Sequence, residues 1–321
     1  MSSNQDSQQK NKKSDDFYRF FKGEYIDMLP YVYAEPSDAY KRIIKYCEDY
    51  YLFRDEVENI ENNKEKLTKY LANVMDMIEI GPGFAEVMTK KTLPLVSCAA
   101  KLKRFFAVDN SACYLDEACE FLRNHTSNIE IHAVEADLMS EQAIRLPQNK
   151  VVDGTGQKCI LFLGSTLGNF TDDQRYHVLK QLHDMIDAGD LVILTADTNS
   201  IGDSVVKAYT GEDFNDFARC ALWHFARINP DFDKHVKSFD ISCRWNESEK
   251  FLLRYYVANE FVSFKFGEYG EIKIEKGQEL SGFKARKDST EKMVDMITKY
   301  FSIVDILSVS GKMKTFICLK K

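Results

Sequence analysis

Hydrophobic residues in this chain fall into short runs separated by stretches with helical spacing. The runs are Met77–Ile80, Phe105–Val108, Ile129–Val134, Cys159–Leu163 and Leu191–Thr195. Short apolar runs that end in turn residues read as strands buried on both faces. Helix-like segments lie between them, and this alternation predicts an α/β fold with a parallel, doubly wound sheet. The helix after the fourth run is the best marked. Thr171 can cap it, Gln174 completes a capping box, and Gly189 lies just past its end. Near the C-terminus, Ile303–Ser308 and Thr315–Leu319 flank Gly311-Lys312-Met313-Lys314. That pattern predicts a terminal β-hairpin on the sheet edge.

Two regions depart from the alternation. Residues 1–16 are mostly Ser, Asn, Gln and Lys with little to bury, and are expected to form a disordered tail. From Phe17 to Tyr51 aromatics recur among charges: Tyr18, Phe20, Phe21, Tyr25, Tyr31, Tyr33, Tyr40, Tyr46 and Tyr50. Helical core packing accounts for most of them. One helical stretch is expected from about Arg54 to Met75. Between residues 200 and 283 a helical part, Asp203 to Ile228, is followed by alternating segments such as Phe251–Val257 and Phe261–Phe266. The expected division is therefore residues 57–199 with 284–321 as a Rossmann-like domain. Residues 17–56 with 200–283 then form a second, α+β domain for the substrate.

Composition narrows the partners. At 321 residues and 44% hydrophobic, the chain can build two real cores. A net charge of −7, with both signs mixed along the chain, argues against a general nucleic-acid binder. No apolar run reaches the roughly 18 residues of a membrane span, and no signal peptide is indicated. The eight cysteines are scattered without a Cys-x-x-Cys, and the six histidines form no metal-type pair. These features read as a cytoplasmic protein with reduced thiols and no metal site.

Two strand-into-glycine turns carry the chemistry. Ile78-Glu79-Ile80-Gly81-Pro82-Gly83 lets the backbone turn tightly at Gly81 and Gly83 and approach a ligand. A following helix would offer amides to a carboxylate. Glu86 occupies the third position of G-x-G-x-x-G, which disfavours NAD. Asp109 closes the second strand, where a carboxylate can accept two ribose hydroxyls. Asp137-Leu138 closes the third, where an acid can take an adenine amine and Leu138 can cover the ring. The fourth strand ends in Gly164-Ser165-Thr166-Leu167-Gly168-Asn169, small polar groups delivered to a cleft. Each acid alone is better explained by a capping or surface role. Signals at the ends of successive strands point together to S-adenosylmethionine (SAM), with S-adenosylhomocysteine as product.

At Phe162-Leu163-Gly164-Ser165-Thr166-Leu167-Gly168-Asn169 the chain resembles the histidine-specific SAM-dependent methyltransferase family, and the resemblance runs from about Tyr33 to the C-terminus. It includes Asp49-Tyr50-Tyr51-Leu52-Phe53-Arg54-Asp55-Glu56, Val206-Lys207-Ala208-Tyr209 and Arg244-Trp245-Asn246. Known members trimethylate the α-amine of histidine in the ergothioneine pathway, and a fungal branch acts on a prenylated tryptophan. The resemblance implies a class I SAM-methyltransferase fold, a Rossmann-like doubly wound sheet with a terminal β-hairpin. It also implies a monomer and a substrate domain over the cofactor cleft. Gly81, Asp109, Asp137, Leu138 and Gly164 fall on cofactor positions. Asn169 and Tyr209 fall on the pair that holds the substrate's α-carboxylate and amine. Tyr33 and Tyr50 match tyrosines of the amino-acid pocket and are the candidate catalytic residues.

One region departs from the pattern. The family's histidine enzymes carry Thr-Glu-x-Ser near the end of the second domain, whose Glu and Ser grip the imidazole. Here the stretch is Leu280-Ser281-Gly282-Phe283-Lys284, so Gly282 and Lys284 stand in those places. A strand position that is apolar in those enzymes corresponds to Arg254. Losing an acid and gaining two cations disfavours imidazole and favours an acidic or phosphorylated side chain. The expected function is methylation of the α-amine of a small amino acid or a metabolite derived from one. The alternatives are L-histidine methylation in a rearranged pocket, or a SAM-binding partner protein without catalysis. The tetrapeptides of amide and base N-methylation are missing after the fourth strand.

Overall fold

A computed structural model of the protein describes residues 2–33, 38–146 and 156–321. Its strands, in chain order, are β1 (Val74–Ile80), β2 (Arg104–Asp109), β3 (Glu130–Glu135), β4 (Gln157–Phe162) and β5 (Leu191–Asp197). They continue as β6 (Phe239–Asn246), β7 (Phe251–Ala258), β8 (Val262–Lys265), β9 (Glu271–Ile274) and β10 (Glu279–Arg286). The last two are β11 (Phe301–Leu307) and β12 (Met313–Lys320). The chain divides into two compact units: Met1–Tyr50 with Ile201–Ala285, and Tyr51–Ser200 with Arg286–Lys321.

In the second unit, seven strands form one sheet in the order β11-β12-β5-β4-β1-β2-β3. The pairs β4–β5, β1–β4, β1–β2 and β2–β3 are parallel, whereas β12 runs antiparallel to both β5 and β11. This is the doubly wound sheet with a terminal hairpin that the apolar runs predict. Alternate residues feed two cores. Met77, Phe105, Leu161 and Ile193 pack on one face, and Ile78, Phe106, Ile160 and Leu194 on the other. Both faces are covered, so every residue of β5 is buried. Strand order reverses between β1 and β4, where a ligand crevice is expected outside the carboxyl ends of the strands.

The first unit holds a three-stranded sheet, β10-β7-β6, and the two-stranded β8-β9. Its core is aromatic. Phe225 of the helix Glu212–Ile228 lies 4.7 Å from Phe17, 4.8 Å from Phe21 and 4.9 Å from Phe232, ring centre to ring centre. These anchors also account for one difference from expectation. A helix spans Ser2–Phe21 where the sequence suggests a disordered tail through residue 16. No Gly or Pro interrupts that span, and the buried Phe17, Phe20 and Phe21 fix its C-terminal turn.

Two other expected helices are each divided. The stretch from Arg54 to Met75 becomes Tyr51–Asn62 and Lys64–Leu71, parted at Asn63, whose side-chain Nδ2 donates to the Asn59 carbonyl, and β1 begins at Val74. The stretch from Asp203 to Ile228 becomes Gly202–Ala208 and Glu212–Ile228. Gly211, at φ +124°, makes the break, a conformation closed to ordinary residues. Tyr209 falls at that break. The helix Asp172–Asp184 has the expected capping box, with Thr171 accepting from the Gln174 amide and the Gln174 side chain accepting from Thr171. Thr171→Ala is expected to lower stability by about 1 kcal/mol. Urea unfolding checks this, and an unshifted midpoint would show that the box adds nothing here.

Candidate active-site residues

In the second unit the C-terminal tips of β4, β1, β2 and β3 stand side by side. The Gly81 amide donates to the Val108 carbonyl at 2.8 Å, and the Ala136 amide to the Asp109 carbonyl at 2.9 Å, so adjacent tips are tied together. Gly81 and Gly83 have φ of +65° and +74°. Nothing lies within 4 Å of where a Cβ on Gly81 would stand, so the turn leaves open space there. Asp109, half-buried at the end of β2, accepts from the Ser111 amide at 2.9 Å, and burial pushes its carboxyl upward in pKa. Asp137 is exposed two residues past β3 and accepts from the Met139 amide. Leu138 beside it is half-buried and packs on the core. The helix after the glycine turn, Ala85–Lys90, is short, and its Ala85 amide is taken by Glu117. That amide is therefore engaged inside the protein. The rest of the set, open glycine turns with carboxylates and an apolar side chain at neighbouring tips, fits a nucleoside with an amino-acid tail. SAM is such a molecule.

Behind these tips lies a buried polar group. Glu79 of β1 accepts from the Thr92 hydroxyl at 2.9 and 3.0 Å. Burial pushes its carboxyl up to about 8, opposed by Thr92 and Lys91 and reinforced by Glu56. Glu79 therefore holds its proton at neutral pH. Glu56 is 1% exposed and paired with Lys91 at 2.8 Å. Past β4, Gly164 (φ +76°) and Ser165 (φ +56°) make a left-handed turn that leads into a short 3₁₀ turn, Thr166–Asn169. A Cβ on Gly168 would stand 2.9 Å from the Arg286 carbonyl oxygen, so only glycine fits there. Asn169 is half-buried, and no hydrogen bond holds its side chain among the described residues.

The first unit gathers the tyrosines. Tyr50 meets Tyr209 and Phe214 edge-on at 5.8 and 5.3 Å, and Tyr33 meets Phe217 and Tyr40 at 5.3 and 6.2 Å. Desolvation, together with the phenols of Tyr40, Tyr209 and Tyr33, pushes the half-buried Tyr50 well above the usual phenol range. Tyr50 is thus a neutral hydroxyl that can accept an N–H bond but does not act as a phenolate base. Sequence reasoning misses Tyr40, Phe214 and Phe217 as neighbours of these tyrosines. The i, i+3 spacing of Phe214 and Phe217 on one helix face is the signal that could have found them.

Arg254 and Gly282 sit on adjacent strands, β7 and β10. Arg254 is 1% exposed. Its guanidinium donates to the Tyr209 carbonyl and to Asn215 Oδ1, and it lies over the Phe214 ring. None of these partners carries a charge, and desolvation lowers its pKa. At Gly282 there is no room for a side chain: a Cβ would stand 2.8 Å from both the Arg254 carbonyl oxygen and the Tyr256 ring. The Lys284 ammonium lies 4.4 Å from the Tyr25 ring centre and 4.5 Å from that of Phe251.

The model of the family described as "Histidine-specific methyltransferase, SAM-dependent" matches residues 30–309. The chain belongs to this family. Among curated family relatives, the histidine N-alpha-methyltransferase of Mycobacterium tuberculosis (strain CDC 1551 / Oshkosh) is 28% identical over 217 residues, 67% of this chain and 64% of that protein. The enzyme of the same name from Mycolicibacterium smegmatis (strain ATCC 700084 / mc(2)155) is 29% identical over 68% of this chain and 65% of its own length. The match thus spans just under two thirds of these relatives. A solved S-adenosylmethionine-dependent methyltransferase from Clostridium acetobutylicum ATCC 824 overlaps 88% of this chain and 96% of its own, at 15% identity and a TM-score of 0.48.

Two expectations follow for these residues. Glu79 keeps its proton up to about 8 when folded and loses it near 4.5 when unfolded. Across that window unfolding releases a proton, so stability falls as pH rises. Glu79→Gln removes this penalty, and the melting-temperature gap between variant and wild type should widen from pH 5 to pH 8. A gap that stays flat would mean Glu79 is ionised throughout. Gly282→Ala forces atoms into a closed gap and should destabilise the protein by about 1–3 kcal/mol. Wild-type stability in urea would show that β7 and β10 can part without penalty.

Proposed function

We propose that this protein is a SAM-dependent N-methyltransferase acting on the α-amine of a small amino acid or a metabolite derived from one. The observation that carries the reading is Asn169, half-buried on the Gly-Ser-Thr-x-Gly-Asn turn with its amide held by no other described residue. A side-chain amide presented this way can donate to a carboxylate. The family model and the curated relatives, named as histidine N-alpha-methyltransferases, support the same reaction class.

When bound, SAM supplies a methyl group on a sulfonium centre. The protein's part is to bind and orient a neutral amine in line with the departing sulfur, at a separation of about 3 Å. A free ammonium has no lone pair, so the pocket must favour the deprotonated amine. In this reading Asn169 and Tyr209 fix the carboxylate and amine, and Tyr33 and Tyr50 accept the amine's N–H bonds. Aromatic faces then stabilise the ammonium that forms. Gly81, Gly83, Asp109, Asp137, Leu138 and Gly164 hold the cofactor.

The finer reading is an anionic side chain on the substrate. Arg254 supports it as a buried cation whose partners among the described residues, the Tyr209 carbonyl, Asn215 and the Phe214 ring, are neutral. Gly282 supports it in part, since that position has no space for the acid that would grip an imidazole. Lys284 is proposed as the second cation, drawn from its place over Tyr25 and Phe251. The second reading, L-histidine methylation in a rearranged pocket, draws on the names of the relatives. A cytoplasmic monomer belongs to either proposal. Among the described residues, no helix is long and apolar enough to cross a membrane.

The test is S-adenosylhomocysteine release from purified protein and SAM across the twenty amino acids with phosphorylated and dicarboxylate analogues. Turnover on an acidic member but not on histidine is the expected result. Histidine turnover would favour the second reading. SAM binding with no turnover on any member would point to a partner protein without catalysis. With a substrate in hand, Asn169→Ala should raise its KM at least tenfold, and an unchanged KM would reject that role.

A further inference from the structure

Two successive left-handed residues at the tip of β4, Gly164 and Ser165, are an unusual backbone for the sequence that carries the motif. Glycine adopts such a φ freely, but Ser165 does not, and a conformation of this kind persists only where its surroundings dictate it. Those surroundings are a chain of buried hydrogen bonds inside the second unit. The Gly164 amide donates to Glu56 Oε1 at 2.7 Å, and the Thr195 hydroxyl donates to the same oxygen at 2.5 Å. The Ser165 amide donates to Thr195 Oγ1 at 3.3 Å, and the Asp197 amide to Ser165 Oγ at 2.8 Å. The other Glu56 oxygen takes the Lys91 ammonium at 2.8 Å, and that ammonium lies 3.8 Å from where a Cβ on Gly164 would stand.

Glu56 comes from the helix Tyr51–Asn62, which begins directly after Tyr50. A buried ion pair is seldom the most stable way to fill a core, and an apolar pair of the same volume often does as well or better. A carboxylate that accepts both the first amide of the turn and the hydroxyl that serves the second is therefore placed for geometry. We infer that Glu56 is a positioning residue: with Lys91 and Thr195 it fixes the Gly164–Ser165 turn in the shape that presents Gly164 to the methyl donor and Asn169 to the amino acid. For its ligands this inference rests on the proposed methyltransferase function. The clamp itself is independent of it.

The experiment has two readouts on wild type, Glu56→Gln, Thr195→Val and Asp76→Asn. Asp76 is the control, because it pairs with Arg104 at 2.7 Å near the start of β1, at the far end of that strand from the tips. The first readout is hydrogen exchange at the Gly164 and Ser165 amides without ligand. The second is S-adenosylhomocysteine affinity by calorimetry, measured well below the unfolding midpoint. Glu56→Gln and Thr195→Val should each speed exchange at the turn at least tenfold. Affinity should weaken about tenfold in the first and about threefold in the second. Asp76→Asn should lower the melting temperature and move neither readout. If Glu56→Gln does not fold, the near-isosteric Thr195→Val decides alone. Wild-type exchange at the turn in a folded variant overturns the inference, as does wild-type affinity. Failure of the wild-type protein to bind the ligand overturns the methyltransferase reading, and turn exchange still decides the role of Glu56.

Discussion

Both faces of the central sheet are buried, and that constraint shapes everything else in the second unit. Helices and their apolar side chains cover the sheet above and below, so polar chemistry has nowhere to emerge except at the strand ends. The strand order reverses between β1 and β4, the place where a crevice at the carboxyl ends is expected. Gly81, Asp109, Asp137 and Gly164 stand at the ends of four neighbouring strands, although positions 81 and 164 are 83 apart in the chain.

The same burial explains the charge states behind the tips. Among the ionisable groups buried beneath them are Glu56, Lys91 and Glu79. Lys91 neutralises Glu56 through a direct pair, so Glu79 has no cation of its own and is driven towards the protonated form. The Glu56–Lys91 pair with a protonated Glu79 carries no net charge, and Glu56 uses its hydrogen bonds for backbone geometry. Glu56 holds the amide of Gly164, and Thr195 relays that hold to Ser165. Under the proposed function, a change at Glu56 or Thr195 acts on cofactor binding through the shape of the turn.

The strands and the glycine turns were legible because unbroken apolar runs and left-handed glycines leave strong local signatures. The capping box at Thr171 and the terminal hairpin were legible for the same reason. What stayed hidden depends on contacts distant in sequence. Nothing near Glu56 in the chain indicates that its carboxylate meets an amide 108 residues away. The division between Ala208 and Glu212 was missed because a Gly such as Gly211 is tolerated in a helical pattern until its φ is known, and the one at Asn63 because an Asn inside a helical pattern gives no sign of its side-chain partner. Gly282 looked like the loss of a ligand-binding acid, whereas its neighbours show a strand pair packed too closely for any side chain. Tyr40 resembled ordinary core packing, and in part that is what it does.

Arg254 poses the sharpest physical question in the first unit. Among the described residues its guanidinium, removed from water, meets a carbonyl, an amide oxygen and an aromatic ring, which relieve only part of the cost of burying a charge. Its tie to the Tyr209 carbonyl places the charge directly behind a residue proposed to hold the substrate. Under that proposal the charge acts twice. It attracts an anionic group, and it lowers the basicity of an amine bound at Tyr209, since a nearby cation disfavours the ammonium form. Methyl transfer needs the neutral amine, so the feature that selects an acidic substrate would also help prepare it. An apolar residue at this position would do neither, which ties substrate choice and proton release to the same side chain.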